Sequence, residues 1–235
     1  MDNLVVLNNE KISEKNNKFY CRNFNFKILP EGLNKFFNVQ YIARKSKTTE
    51  HHELHLQNIR IASNIIQFIY YVLSTFKNKN TKYYIITITP YTFLAFLFLA
   101  LFRKKVFVYL ISSGYEEWKY ILGSWSVWIY HIMYSIVTSR AKVIALHERL
   151  YKKDDGHVIE SSTLDQEWLQ NLKKPDLSKV RFLNVSRVNP EKGIFEFLEM
   201  FKELKIDAEI SVVGKIKNLS LQNKFQSIIK GRSNI

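Results

Sequence analysis

Two cations and two glycines set close together near the carboxyl end are the most chemically loaded feature of this chain. Residues 181–193 read RFLNVSRVNPEKG, followed by IFEFLEMFKELK and by the apolar AEISVVG that ends at Gly214. An apolar run stops at Arg187, a polar turn carries Lys192 and Gly193, and an amphipathic helix begins at once. Arg187 and Lys192 thus stand at a strand's carboxyl end beside a helix amino terminus, where backbone N–H groups and the helix dipole favour an anion. That placement suits a diphosphate and points to a nucleotide-type ligand. Gly193 lets backbone N–H groups come close to such a ligand. The same residues also fit an ordinary strand end and a turn glycine, and the sequence leaves both readings open.

A second candidate lies upstream. Glu116 and Glu117 follow Ser112, Ser113 and Gly114 at a strand-to-helix junction. Ligands collect at that edge of a parallel sheet, so a carboxylate there is a candidate catalytic group. Two Glu in a first helical turn equally complement the dipole. His51, His52 and His55 in TEHHELH would put two imidazoles on one helical face. No HExxH motif accompanies them, so solvated side chains are expected rather than a metal site. His131 reads as a packed or surface histidine, and His147 stands at a strand's carboxyl end. There is no Asp-x-Asp motif, and neither a metal nor a cofactor is expected.

These groups need elements to position them. Leu4–Leu7 and Asn38–Ala43 read as short strands, broken from one another by Pro30 and Gly32. The apolar spacing from Asn58 to Phe76 predicts one long amphipathic helix. Tyr83 to Phe102 is a twenty-residue window without a charge, long enough to raise the question of a membrane span. Its first part is β-branched and aromatic, Pro90 interrupts it, and a helical run of eleven residues ends at Arg103. With Val106–Ile111 as the next strand, a βαβ unit is the expected structure. Trp118–Val137 predicts a core helix, one face of which fits contact with lipid headgroups. Arg140–Leu146 is a further strand, HERLYKKDDG a short helix and turn, and HVIESSTLDQEWL a strand leaving into a loop. After a linker around Pro175 the order is strand (Val180–Val185), helix (Gly193–Leu204), strand (Ala208–Val213), helix (Leu219–Ile229), the start of a second parallel-sheet domain. In the first of those helices Ile194, Phe197, Leu198, Phe201 and Leu204 form one stripe. The expected domains are residues 1–174 and 175–235.

Composition narrows the partners. An apolar fraction of 46% in 235 residues supports packed cores rather than disorder. Cys21 is the only cysteine, so no internal disulfide framework exists and a reducing compartment is indicated. MDNLVVLNNEK is not a secretory signal, which makes cytoplasmic the expected location. The net charge is +14, and up to residue 174 there are 24 Lys and Arg against 14 Asp and Glu. Such an excess fits an anionic membrane, a phosphate-bearing substrate or nucleic acid. The cations are scattered and no nucleic-acid signature accompanies them, so nucleic acid is not expected.

At SRVNPEKG, the helix after it and EISVVG, the chain resembles the group 1 family of retaining glycosyltransferases. Ser186, Arg187, Glu191, Lys192 and Gly193 match the family pattern, and Gly214 matches the glycine closing the next strand. The resemblance implies an α/β, GT-B-like fold: a Rossmann-like parallel-sheet acceptor domain, then a second Rossmann-like domain that is incomplete here. It implies that Arg187 and Lys192 contact the diphosphate of a nucleotide-sugar donor. The LISSGYEEWKYILG stretch resembles the acceptor-side loop of enzymes that build surface polysaccharides. The implied reaction moves a sugar to a saccharide or lipid-linked acceptor, with peripheral contact at the inner membrane face. The family's Glu-x7-Glu motif would lie beyond residue 235, so a truncated, non-catalytic, membrane-associated remnant is the alternative reading.

Overall fold

The computed structural model describes residues 1–78, 80–153, 155–159, 169–171, 174, 178–203, 208–216 and 218–230. The chain divides into two compact units, Met1–Thr163 and Leu164–Ile235. The loop after Ile159, the linker around Pro175 and Leu204 lie outside the described residues.

In the first unit the strands are β1 (Asn3–Lys15), β2 (Lys18–Cys21), β3 (Asn38–Lys45), β4 (His52–Leu54), β5 (Asn58–Ala62), β6 (Lys82–Ile86), β7 (Val106–Leu110), β8 (Lys142–Ala145) and β9 (His157–Val158). The helices are α1 (Asn25–Leu33), α2 (Ile65–Ser74), α3 (Pro90–Leu101), α4 (Gly114–Leu122) and α5 (Ser126–Thr138). The parallel strands lie in the order β5-β3-β1-β6-β7-β8-β9. The chain moves one way from β1 through β3 to β5, then crosses to β6 on the other side. This reversal at β1 and β6 is the switch point of a doubly wound sheet.

Alternation along the strands sends side chains to opposite faces. Val5, Leu7, Ile85 and Val108 pack with Phe68 of α2, Phe96 of α3 and Tyr130 of α5. Leu4, Val6, Tyr84 and Tyr109 pack on the other face, with Leu29 and Leu33 of α1 at its margin. Beyond Leu7 the register of β1 shifts, and its outer half forms an antiparallel hairpin with β2. Asn16 and Asn17 turn that hairpin with φ of 52° and 57°, the left-handed pair that matches strand twist in a two-residue loop.

The charge-free window is a strand and a helix, as the βαβ reading requires. Pro90 occupies the start of α3, where its missing N–H costs nothing, and Thr89 and Thr92 form a reciprocal cap. Among the described residues no helix is long and apolar enough to cross a membrane.

Three expectations are corrected. Asn58–Phe76 is not one helix: Asn58–Ala62 alternates and pairs with β3, from Gln40↔Asn58 to Arg44↔Ala62. Asn64 then caps α2, its side chain accepting from the Gln67 N–H at 2.8 Å. Trp118–Val137 spans two helices, parted at Gly123, whose φ of 91° a helical residue does not adopt. TEHHELH is not helical either; its second half is β4, paired with β2, so His51 and His55 share no helix face.

The second unit holds β10 (Val180–Val185), α6 (Ile194–Glu203), β11 (Ala208–Val213) and α7 (Leu219–Ile229). β10 and β11 are parallel, in register from Val180↔Ala208 to Val185↔Val213. Ile194, Phe195, Leu198 and Phe201 of α6 are buried against Ala208, Ile210 and Ile228. Phe197 of the expected stripe is half-buried beside Phe182.

Candidate functional site

In the second unit the site is the loop from Ser186 to Gly193. β10 keeps its pairing past its end: the Ser186 N–H donates to Val213 O at 3.0 Å and the Val188 N–H to Lys215 O at 3.2 Å. Gly214 sits between those bonds, and a Cβ there would run into the Ser186 carbonyl oxygen. The glycine is therefore required for the two backbones to approach at the strand ends. Val188 and Asn189 are buried and anchor the loop from below. Pro190–Lys192 makes a single tight turn, with the Lys192 N–H on Asn189 O at 3.0 Å. Gly193 follows at φ 66° and accepts from the Phe197 N–H, which starts α6.

The outcome is one loop that carries exposed Arg187 at its start and exposed Lys192 and Gly193 at its end. Both cations lie on the carboxyl side of β10, ahead of a ten-residue helix. The first N–H groups of α6 have no partner within the helix, so the loop holds its two cationic residues at a helix end that favours an anion.

In the first unit the corresponding edge is the carboxyl end of β7 and β8. A cavity of about 320 Å³ opens there. Ser112, Ser113 and Gly114 line it from the β7–α4 junction, Tyr130 and Tyr134 from α5, and Arg149, Lys152 and Lys153 from the segment after β8. Tyr130 lies directly over Gly114, and a Cβ at position 114 would overlap its ring. Tyr115 meets Tyr130 edge to face at 4.8 Å and stands 3.0 Å from His131 Nδ1 through its hydroxyl. Tyr134 donates to Leu150 O at 2.8 Å. Burial first, and then the neighbouring Tyr115, pushes the Tyr134 phenol up to about 12, so it is a neutral donor at pH 7. Burial raises Tyr130 and Tyr115 in the same direction.

The carboxylates expected to be catalytic stand beside this cavity rather than in its lining. Glu116 and Glu117 are exposed in the first turn of α4, and Glu117 accepts from Ser112 Oγ at 2.9 Å. His147 is exposed at the start of a short turn over Glu148–Leu150. Among the described residues no group of three His, Cys, Asp or Glu lies close enough to hold a metal ion.

Sequence reasoning passed over Tyr115, Arg149, Lys152 and Lys153. The available signal was the Lys152–Lys153 pair soon after a strand's carboxyl end, since that is the edge where ligands gather. It also passed over Arg44, whose guanidinium lies 4.4 Å from the Tyr91 ring and donates to Asn9 Oδ1 at 3.1 Å. That contact joins the middle of β1 and the end of β3 to the start of α3.

No protein-family model and no curated protein matches the sequence. Solved structures do match. The UDP-N-acetylglucosamine 2-epimerase from Listeria monocytogenes aligns with 100% of this chain and 68% of its own, at TM-score 0.50 and 11% identity. MurG from Acinetobacter baumannii aligns with 100% of this chain and 66% of its own, at TM-score 0.51 and 9% identity. This chain therefore spans about two thirds of the length of those structures. At such low identity the likeness concerns the fold, and the chain has the mixed α/β, GT-B type of architecture with a Rossmann-like parallel core.

Proposed function

We propose that this chain binds a nucleoside-diphosphate sugar and, more finely, that it is a glycosyltransferase of the group 1 retaining type. The observation that carries the reading is the 186–193 loop, with exposed Arg187 and Lys192 at a strand's carboxyl end before α6. In sugar transfer the leaving diphosphate gathers negative charge, and prepositioned cations with a helix amino terminus stabilise it. Lys in the turn before a helix opposes the dipole, which an anion between them would offset. A structural neighbour is named for a UDP-sugar, the same class of ligand.

The cavity of the first unit suits the acceptor. A sugar ring packs on Tyr115, and Arg149, Lys152 and Lys153 attract a phosphate, a combination found in a lipid-linked saccharide. Glu117, held by Ser112 at the margin of that cavity, is the carboxylate assigned to orient the acceptor hydroxyl, with Glu116 beside it. A second reading, a membrane-associated binding protein without turnover, draws on the excess of 24 Lys and Arg over 14 Asp and Glu up to residue 174.

Calorimetric titration with UDP, GDP and ADP, and with their hexose conjugates, tests the donor assignment. Arg187→Ala and Lys192→Ala should each weaken binding by roughly 10- to 100-fold, the worth of a charge-assisted hydrogen bond. Absence of binding by the unaltered chain, or variants that bind as tightly as the unaltered chain, overturns it. Binding without release of free nucleotide when acceptors are added would favour the second reading.

A further inference from the structure

We infer that the first unit carries a further anion site, at the carboxyl ends of β3 and β5, which takes a phosphate-bearing ligand. A cavity of about 600 Å³ opens there, between the β1–β2 hairpin, the segment after β3 and the start of α2. That volume is within the range of small-ligand sites. Ile61 is the only apolar side chain in its lining, and the others are hydroxyls, amides and charged groups. Lys15 lines it from the hairpin, and Lys45 and Lys47 from the end of β3 and beyond. All three are exposed, and the lining sets one acid, Glu14, against them.

The neighbouring acids are already engaged. Glu50 pairs with Arg22 at 3.1 Å and Glu53 with Lys18 at 2.9 Å. Among the described residues no carboxylate pairs with Lys15, Lys45 or Lys47. Like charges around one space repel each other, and an anion between them removes that cost. The backbone that presents two of them is fixed in advance. The Ser46 N–H donates to Ile12 O at 2.8 Å and the Glu50 N–H to Ser13 Oγ at 2.9 Å, which pins the 46–50 segment at both ends. Ser46 Oγ donates to Glu50 Oε1 at 2.6 Å and closes the segment on itself. A ligand therefore meets cations already in place and need not order a free loop. Ser63 and Gln67 bring the amino end of α2 to the same cavity, and its dipole has the same preference. The kind of cation selects the kind of anion. Lysine supplies point charges suited to phosphate oxygens, whereas the guanidinium fork matches a planar carboxylate, and no arginine is in the lining. Three lysines against one carboxylate leave two charges to neutralise, about the charge of a phosphate monoester at pH 7. This site stands whether or not the 186–193 loop of the second unit takes a nucleotide.

Calorimetric titration of the whole chain with inorganic pyrophosphate, glucose 1-phosphate and citrate, at constant ionic strength, tests it. Both phosphates should bind, the tighter of them telling a free from an esterified ligand, and citrate should bind roughly tenfold more weakly. Lys45→Gln with Lys47→Gln should weaken pyrophosphate binding by roughly a hundredfold, about tenfold for each cation. The unfolding midpoint should stay where it was, since both side chains are exposed. Arg187→Ala with Lys192→Ala removes the loop of the second unit from the titration and should leave this binding in place. Lys77→Gln with Lys105→Gln takes the same charge from the amino ends of β6 and β7 and should also leave it unchanged. Lack of phosphate binding by the unaltered chain, Lys45 and Lys47 variants that bind like it, or citrate binding as tightly as pyrophosphate overturns the inference. So does an equal loss in the Lys77, Lys105 pair, because net charge alone would then explain the binding. Loss of all binding in the Arg187, Lys192 pair overturns it too, because the ion would then sit on the second unit.

Discussion

Glu50 is a carboxylate only 3% exposed, yet it carries charge because its neighbours were built around it. It accepts from Ser46 Oγ at 2.6 Å and from Arg22 Nε and Nη2 at 3.1 and 3.2 Å, and its own N–H reaches Ser13 Oγ at 2.9 Å. Burial would raise its carboxyl, but the bonds from Ser46 and Arg22 outweigh burial and hold it below the ordinary value. A folded pKa below the unfolded one stabilises at pH above about 4.5, and that contribution fades as pH falls through the folded value. Urea titrations should therefore show Glu50→Gln less stable by about 2 kcal/mol at pH 7, with the difference shrinking under acid conditions. A constant difference across pH would contradict the account. Cys21 is the opposite case: burial first, then the charge of Glu10, pushes its thiol up to about 12, and it should resist alkylation at pH 8 until the chain unfolds.

Elements follow from a few residues whose removal has a calculable cost. Asn64→Ala removes the cap of α2 and should cost about 1 kcal/mol, measurable by denaturant unfolding. Gly214→Ala drives a methyl group into the Ser186 carbonyl and should destabilise the second unit by about 1–3 kcal/mol. Faster hydrogen exchange at the β10 and β11 amides, with the first unit unchanged, is the expected sign. The errors at this scale came from period. Ile59, Ile61, Ile65 and Ile66 fit a helical template when read in one run, because two residues of strand alternation can imitate it. The break is carried by Ser63 and Asn64, a cap that only becomes visible once β5 has a partner in β3.

At the scale of the whole molecule the dominant quantity is the charge of +14. It steers anions over distances set by the ionic atmosphere, so association with a nucleotide should slow roughly tenfold as salt rises to physiological strength, where the Debye length is about 8 Å. Stopped-flow rates independent of salt would show that the field does not reach the 186–193 loop. Both candidate sites lie at carboxyl ends of parallel strands, as expected for an α/β sheet. The cavity over Gly114 was not legible, because its cations and tyrosines come from separate segments of the chain.

By itself the sequence determined the parallel α/β plan, the βαβ unit across the charge-free window, and the Arg187, Lys192 and Gly193 loop, since each depends on residues adjacent along the chain. Tertiary structure alone decided that β5 is a strand, that Tyr130 must lie over a glycine, and that three uncharged helices pack on one face of the sheet. Those outcomes rest on contacts between residues far apart in sequence, and no local pattern records which surface another element will cover.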